Sequence, residues 1–225
     1  QEVFRQLLEH TKHLDPSGQS ALLILYRALL HLLTVPDAPF GQFFALLQTE
    51  GPRLERGELE SVVLFAFNYC IRCHRQGQAG AFERYRQVFD WADTQAIWTA
   101  TAAEDLFLNT GVMFAKSQDS EGFEAFLKKG KSTLPAERHQ DAVALLQAYR
   151  HFYQSDFDSA ALALATVKTR HPRYTLLFHS LKVRNVYEQW LLEPAEPGEL
   201  EQALNSFEDF LQRKDLFAES LQQSY

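Results

Sequence analysis

Apolar residues recur along this chain at helical spacing. Leu200, Ala203, Leu204, Phe207, Phe210 and Leu211 fall at i, i+3, i+4, i+7 intervals, and Ala142, Leu145, Leu146, Tyr149, Phe152 and Tyr153 repeat the pattern. Each set describes one apolar face of a helix. No stretch alternates with the two-residue period of a strand between hairpin turns. The pattern is punctuated at short intervals: Asp15-Pro16-Ser17-Gly18, Val35-Pro36-Asp37-Ala38-Pro39, Gly51-Pro52, Gly77 to Gly80, Ser117 to Ser120, Ser155-Asp156, Pro172, and Pro194 with Pro197. Pro135 suits a first helical turn, where its missing N–H is not needed. These breaks predict helices at 2–14, 18–34, 40–50, 55–76, 79–92, 99–117, 120–132, 136–154, 157–170, 173–192, 198–212 and 215–225. Helices joined by turns this short pack antiparallel to their sequence neighbours.

An internal repeat organises the series. Ala148 sits in mid-helix, followed by the turn at Ser155-Asp156-Phe157, then Ala160, Leu164, Val167 and Pro172. That order (small residue, turn, small residue, aliphatic positions, terminating proline) is the tetratricopeptide pattern. The same register puts Gly111 and Cys70 in the place of Ala148, because close helix crossing leaves room only for a small side chain. The match is degenerate: Phe123 and Phe82 stand where alanine is usual. The expected fold is all-α, a tetratricopeptide-like α-solenoid of antiparallel helix hairpins. It is expected to form one array over 1–225, less regular over 1–54 and tetratricopeptide-like over 55–225.

Composition narrows the function classes. The 225 residues are 46% hydrophobic and 23% charged, ample apolar surface for a folded core. A formal net charge of −7 disfavours nucleic acid and anionic membrane as partners. The longest apolar run, Ala21 to Leu33, is interrupted by Arg27 and His31 and is too short to span a bilayer. The chain opens at Gln1 and closes inside a predicted helix, so a piece of a longer protein is expected.

Phe67-Asn68-Tyr69-Cys70-Ile71-Arg72 resembles the "NYCIRK" segment of a large family of uncharacterised bacterial helical-repeat proteins. Leu134 to His139, the Tyr149 helix, Ser155 to Asp158, Phe207 to Arg213 and Glu219 to Tyr225 continue the resemblance over about residues 55–225. It implies a cytoplasmic tetratricopeptide-like array and carries over no catalytic or ligand residues. The chain departs from it at Cys73, where the family usually has Lys.

Candidate chemistry is sparse. Cys70-Ile71-Arg72-Cys73-His74 reads literally as a c-type haem attachment motif or as part of a metal site. Its place inside a long predicted helix, with Cys70 explained by the repeat register, leaves no cofactor and no metal expected. His10 and His13 lack a third ligand. Lys128, Lys129 and Lys131 complement a helix C-terminus. Glu121 and Glu124 read as solvent-facing residues beside a turn. No G-x-S-x-G, H-E-x-x-H, P-loop or G-x-G-x-x-G occurs, and no enzyme is expected.

Projecting the repeat register onto the first helix of each pair gives Phe67, Ile71, His74 and Arg75, then Leu108, Val112, Ala115 and Lys116, then Leu145, Tyr149, Phe152 and Tyr153. An open groove of these residues would bind a protein or peptide; a closed one would simply be core. The residues expected to carry binding are Arg72, Tyr149 and Tyr153, with His74 and Lys116 on the basic side. The expected function is a non-catalytic protein-interaction scaffold whose partner is another protein or the rest of its own chain. The alternatives are a ligand-responsive regulatory helical domain and, behind that, an enzyme without a recognisable motif.

Overall fold

The computed structural model describes residues 20–35, 38–97, 103–130, 134–168, 171–193 and 198–212. The expected helices at 2–14 and 215–225, with His10, His13 and Lys131, lie outside the described residues. Everything described is helix, turn or loop, with no strand. The chain divides into two compact units, residues 1–99 and 100–225.

The first unit contains α1 (Ala21–Thr34), α2 (Phe40–Glu50), a 3-10 turn (Gly51–Arg53), α3 (Arg56–Arg75) and α4 (Ala81–Thr94). Ser20 starts α1 by accepting the Leu23 N–H at 3.3 Å, the role its hydroxyl suits best at a helix N-terminus. Leu25, Leu29 and Leu32 then face inward at helical spacing. At the head of α3 the Glu58 carboxylate accepts the Glu55 N–H at 3.1 Å, satisfying a donor that the helix leaves open. α1 packs on α2 and α3, and α4 on α2 and α3. Val62, Val63, Ala66, Phe67, Cys70, Tyr85 and Val88 form the interior of the α3/α4 hairpin, with the Phe67 and Tyr85 rings 4.8 Å apart. Each such large side chain contributes roughly 1.5–3 kcal/mol on burial. Gly51 lets α2 approach α4 closely: a Cβ there would come within 2.8 Å of the Trp91 ring.

The second unit contains α5 (Ala103–Ser117), α6 (Ser120–Gly130), a 3-10 turn (Ala136–Arg138), α7 (His139–Tyr153), α8 (Phe157–Ala165), α9 (Pro172–Leu192) and α10 (Gly198–Gln212). α5 packs on α6 and α7, α7 on α8 and α9, α8 on α9, and α9 on α10. Gly111 and Ala148, singled out by the repeat register, both lie at such crossings. A Cβ on Gly111 would overlap the Leu146 side chain, and Ala148 is fully buried. α9 is apolar on several sides because it touches α7, α8 and α10. Its His179 ring stacks on Phe207 and Phe210 of α10 at 6.0 and 5.3 Å.

Several helices of both units end alike. At α3, the Gln78 and Gly77 N–H groups return to the Cys73 and His74 carbonyls, both at 3.0 Å, with Gly77 left-handed at φ 72°. That is a Schellman motif, which satisfies two of the open carbonyls. Ala96 (φ 50°) repeats it after α4 and Ser155 (φ 60°) after α7. The breaks in the sequence mark the turns at Gly77 and Ser155, the one at Ala96 falls only in the gap between the expected helices 79–92 and 99–117, and nothing marks Ala96 and Ser155 for a conformation that ordinarily favours glycine.

Among the described residues, one boundary differs from expectation by more than three residues. α8 stops at Ala165, not 170. The Thr166 hydroxyl turns back to the Ala163 carbonyl at 2.7 Å, and the Lys168 N–H is donated sideways to Asp141 of α7 at 2.8 Å. A β-branched residue whose hydroxyl competes for the helix's own carbonyls is a poor continuation. Among the described residues no helix is long and apolar enough to cross a membrane.

Candidate functional site

The last turns of α1 and α3 meet the turn leading into α4, and together they wall a cleft of about 680 Å³ within the first unit. Leu32, Leu33, Thr34, Val35 and Ala38 form one side. Tyr69, Arg72 and Cys73 come from α3, Gln76 from its C-cap, Gln78 and Ala79 from the turn, and Arg84 from the first turn of α4. Pro36 and Asp37, between two of the lining residues in sequence, lie outside the described residues.

Local chemistry fixes the cationic side. Arg72 is exposed and lies over the Tyr69 ring, 5.7 Å from its centre. Arg84 donates to the Ala79 carbonyl at 2.6 Å and to the Gly80 carbonyl at 3.1 Å, holding its guanidinium against the turn. Carbonyls orient that charge without neutralising it. Among the described residues, no carboxylate pairs with either arginine. Elsewhere in the unit, Arg53, Arg56 and Arg86 pair with Glu50, Glu60 and Asp90 at 2.5, 2.9 and 3.1 Å. Gln78 donates one amide N–H to the Gln76 amide oxygen at 3.2 Å, a bond that does not use either N–H of Gln76 or the amide oxygen of Gln78.

Beneath the cleft the side chains are neutral. Burial, with help from a hydrogen bond to Cys73, pushes the Tyr69 hydroxyl up to about 12. Burial likewise pushes the Cys70 thiol up to about 12, with the Cys73 thiol adding to the effect. At neutral pH Cys70 is therefore a thiol, not the thiolate that attacks or ligates. Cys70 and Cys73 are buried and unbridged. Among the described residues, no three His, Cys, Asp or Glu side chains gather closely enough to hold a metal ion.

The second unit has its own hollow, of about 800 Å³, lined by Ser155, Asp156, Phe157 and Asp158, by Val186, Gln189, Trp190, Leu192 and Glu193, and by Gly198, Glu199, Leu200 and Gln202. It is acidic where the cleft is basic. Asp156 caps α8 by accepting the Ser159 N–H at 3.1 Å, and the Ser159 side chain, that backbone bond and the neighbouring His151 together hold its carboxyl below the usual range. Asp158 accepts from Gln189 at 2.9 Å. Asn185, buried in α9, donates to the Phe157 carbonyl at 2.9 Å. Residues 194–197, between Glu193 and Gly198, lie outside the described residues.

The expected site residues separate on inspection. Arg72 lines the cleft. His74 is half-buried on α3 and does not line it. Lys116 is exposed on α5 and lines neither hollow. Tyr153 is half-buried, 5.6 Å below the Arg184 guanidinium, which also sits 4.5 Å from the Phe152 ring. Tyr149 corrects the expectation of a hydrated groove residue. It is only 4% exposed, and its hydroxyl makes a long 3.4 Å bond to the Leu177 carbonyl of α9. Burial raises its pKa well above the ordinary tyrosine value. The physical reason is that α9 lies on α7, so this face of α7 is sealed. Phe67, Leu108, Ala115, Leu145 and Phe152 of the projected groove are likewise buried. Glu124, read as a solvent-facing carboxylate, is exposed and pairs with Arg150. Arg84 went unnoticed in the sequence. The signal was available, because Arg72 and Arg84 flank the Gly77–Gly80 turn and so share one end of a hairpin.

Compared with family models, with curated proteins and with solved structures, the chain matches none.

Proposed function

We propose that this chain is a tetratricopeptide-like helical-repeat scaffold that binds a protein or peptide and performs no chemistry of its own. The array part of the reading is supported by how alternate helices meet within each unit: α1 with α3, α2 with α4, α5 with α7, and α7 with α9. It is supported too by the small residues Gly111 and Ala148 at crossings that admit nothing larger. The two unbridged thiols fit a reducing, cytoplasmic setting. The binding part rests on one observation, the cleft at the end of the α1/α3 pair. There an exposed arginine and a second, turn-held arginine line a hollow in which, among the described residues, no carboxylate takes part. Arginine is among the residues enriched at the anchor points of interfaces.

The test is affinity capture with the intact chain, comparing wild type with Arg72→Gln and Tyr153→Ala. A partner retained by wild type and lost with Arg72→Gln, at unchanged melting temperature, supports the reading. Equal capture by all three sinks the cleft as the binding surface. Turnover of a substrate by the purified chain sinks the non-catalytic reading.

A further inference from the structure

We infer that the cleft between the ends of α1 and α3 takes an acidic peptide segment, a carboxylate side chain seated between Arg72 and Arg84 with an apolar neighbour against Leu32, Leu33 and Val35. The inference rests on the binding reading above and names the chemistry of its occupant. Three features of the lining select that chemistry together.

The first is charge. Two guanidiniums border the hollow, and among the described residues no carboxylate lines it. Arg84 is already oriented by the Ala79 and Gly80 carbonyls, so little side-chain freedom is lost when an anion arrives. Arg72 is steadied over the Tyr69 ring. A carboxylate meeting a guanidinium forms paired, charge-assisted hydrogen bonds, about twice as strong as neutral ones.

The second is the amide pair. After their mutual bond, Gln76 retains a donor and Gln78 an acceptor. A peptide bond offers one carbonyl and one N–H, the complementary set. The third is the apolar wall from the end of α1. A free phosphate or a small dicarboxylate would use the arginines and the Gln76 N–H groups but neither the wall nor the Gln78 amide oxygen. Nucleic acid needs a run of phosphate contacts, and two arginines on a chain of net charge −7 supply too few.

The experiment is a selection from a random peptide library displayed on phage, run on the whole chain and on Arg72→Gln, with Arg86→Gln as control. Arg86 lies on the same helix as Arg84 but is paired with Asp90 and does not line the cleft. The expected result is enrichment of Asp or Glu beside Leu, Ile or Val in the wild-type selection. That enrichment should disappear with Arg72→Gln and persist with Arg86→Gln. A selected peptide, synthesised with a fluorescent label, should bind Arg72→Gln about tenfold more weakly than wild type, and its Asn/Gln counterpart should lose a similar factor. Arg72→Lys should recover only part of the loss, because an ammonium cannot make the paired bonds. Peptides selected without acidic residues would overturn the inference while leaving the scaffold reading intact. Selection of no peptide at all would overturn both. Thermal stabilisation by inorganic phosphate alone, dependent on Arg72 and unmatched by any peptide, would make the cleft a small-anion site and overturn the inference.

Discussion

The cleft in residues 1–99 and the hollow in residues 100–225 are similar in size, about 680 and 800 Å³, and opposite in charge. They also differ in how their charges are employed. In the hollow, Asp156 caps α8 and meets His151 at 3.4 Å, while Asp158 accepts from Gln189. Those two carboxylates hold helices; the side chains of Glu193 and Glu199 in the same lining make no such bond among the described residues. In the cleft, Arg72 makes no ion pair among the described residues, and Arg84 is held by neutral carbonyls. A charged wall is therefore not in itself a binding site. What marks one is charge that the fold has positioned without neutralising.

The largest effect is expected where the units differ in packing at glycine. Gly111→Leu in α5 forces a side chain into Leu146 and should cost on the order of 3 kcal/mol or more in chemical denaturation. Gly57→Ala in α3 meets nothing within 4 Å and should stabilise by about 0.4–1 kcal/mol, since alanine restricts the unfolded chain and favours helix. Equal effects at the two positions would break the assignment of Gly111 to a tight crossing.

Next comes the contrast in charge employment. Asp156→Ala should lower the melting temperature, because the first turn of α8 loses its cap. Arg72→Gln should leave it within experimental scatter. If Arg72→Gln melts early and Asp156→Ala does not, the roles given to the two walls are reversed. Acid gives the same contrast. The Asp156 carboxyl is held below its ordinary 3.8, so its contribution is present above that value and is lost as pH falls through the lowered one.

How much of this was legible beforehand follows from what each signal measures. Helical periodicity reports a local property, so most described helices and turns could be read from it. The register identified Gly111 and Ala148 because a close crossing excludes any large side chain. The binding face was not legible. Tyr149 and Tyr153 share a helix face at i, i+4, yet α9 seals Tyr149 and leaves Tyr153 half-buried, an outcome decided by a helix more than twenty positions along the chain. Sequence hydropathy cannot rank two tyrosines by what will later pack on them. Arg84 was missed for a different reason: the Gly77–Gly80 turn puts it at the same hairpin end as Arg72, but only in three dimensions does Asp90 pair with Arg86 and leave Arg84 as the one that lines the cleft.

Smaller effects follow from backbone and pH. Ala96→Gly, relieving a left-handed alanine after α4, should stabilise the first unit by about 1 kcal/mol in hydrogen-exchange or denaturation measurements. In alkali, the unfolded chain releases the Cys70 proton near its ordinary 9.0 and the Tyr69 proton near 10.0, whereas the folded chain holds both to about 12. The folded state then binds more protons, and stability falls as pH rises through that interval. Cys70→Ala should move the onset of the loss upward by about one pH unit, and an unchanged onset would mean that Cys70 does not titrate with unfolding.

The most direct test of the central claim exchanges the charges. Arg72→Glu should lose the acidic peptide selected by wild type and gain affinity for the same peptide with its Asp or Glu replaced by Lys. If Arg72→Glu leaves the preference between the two peptides unchanged, the carboxylate does not sit at Arg72 and the account of the cleft is wrong.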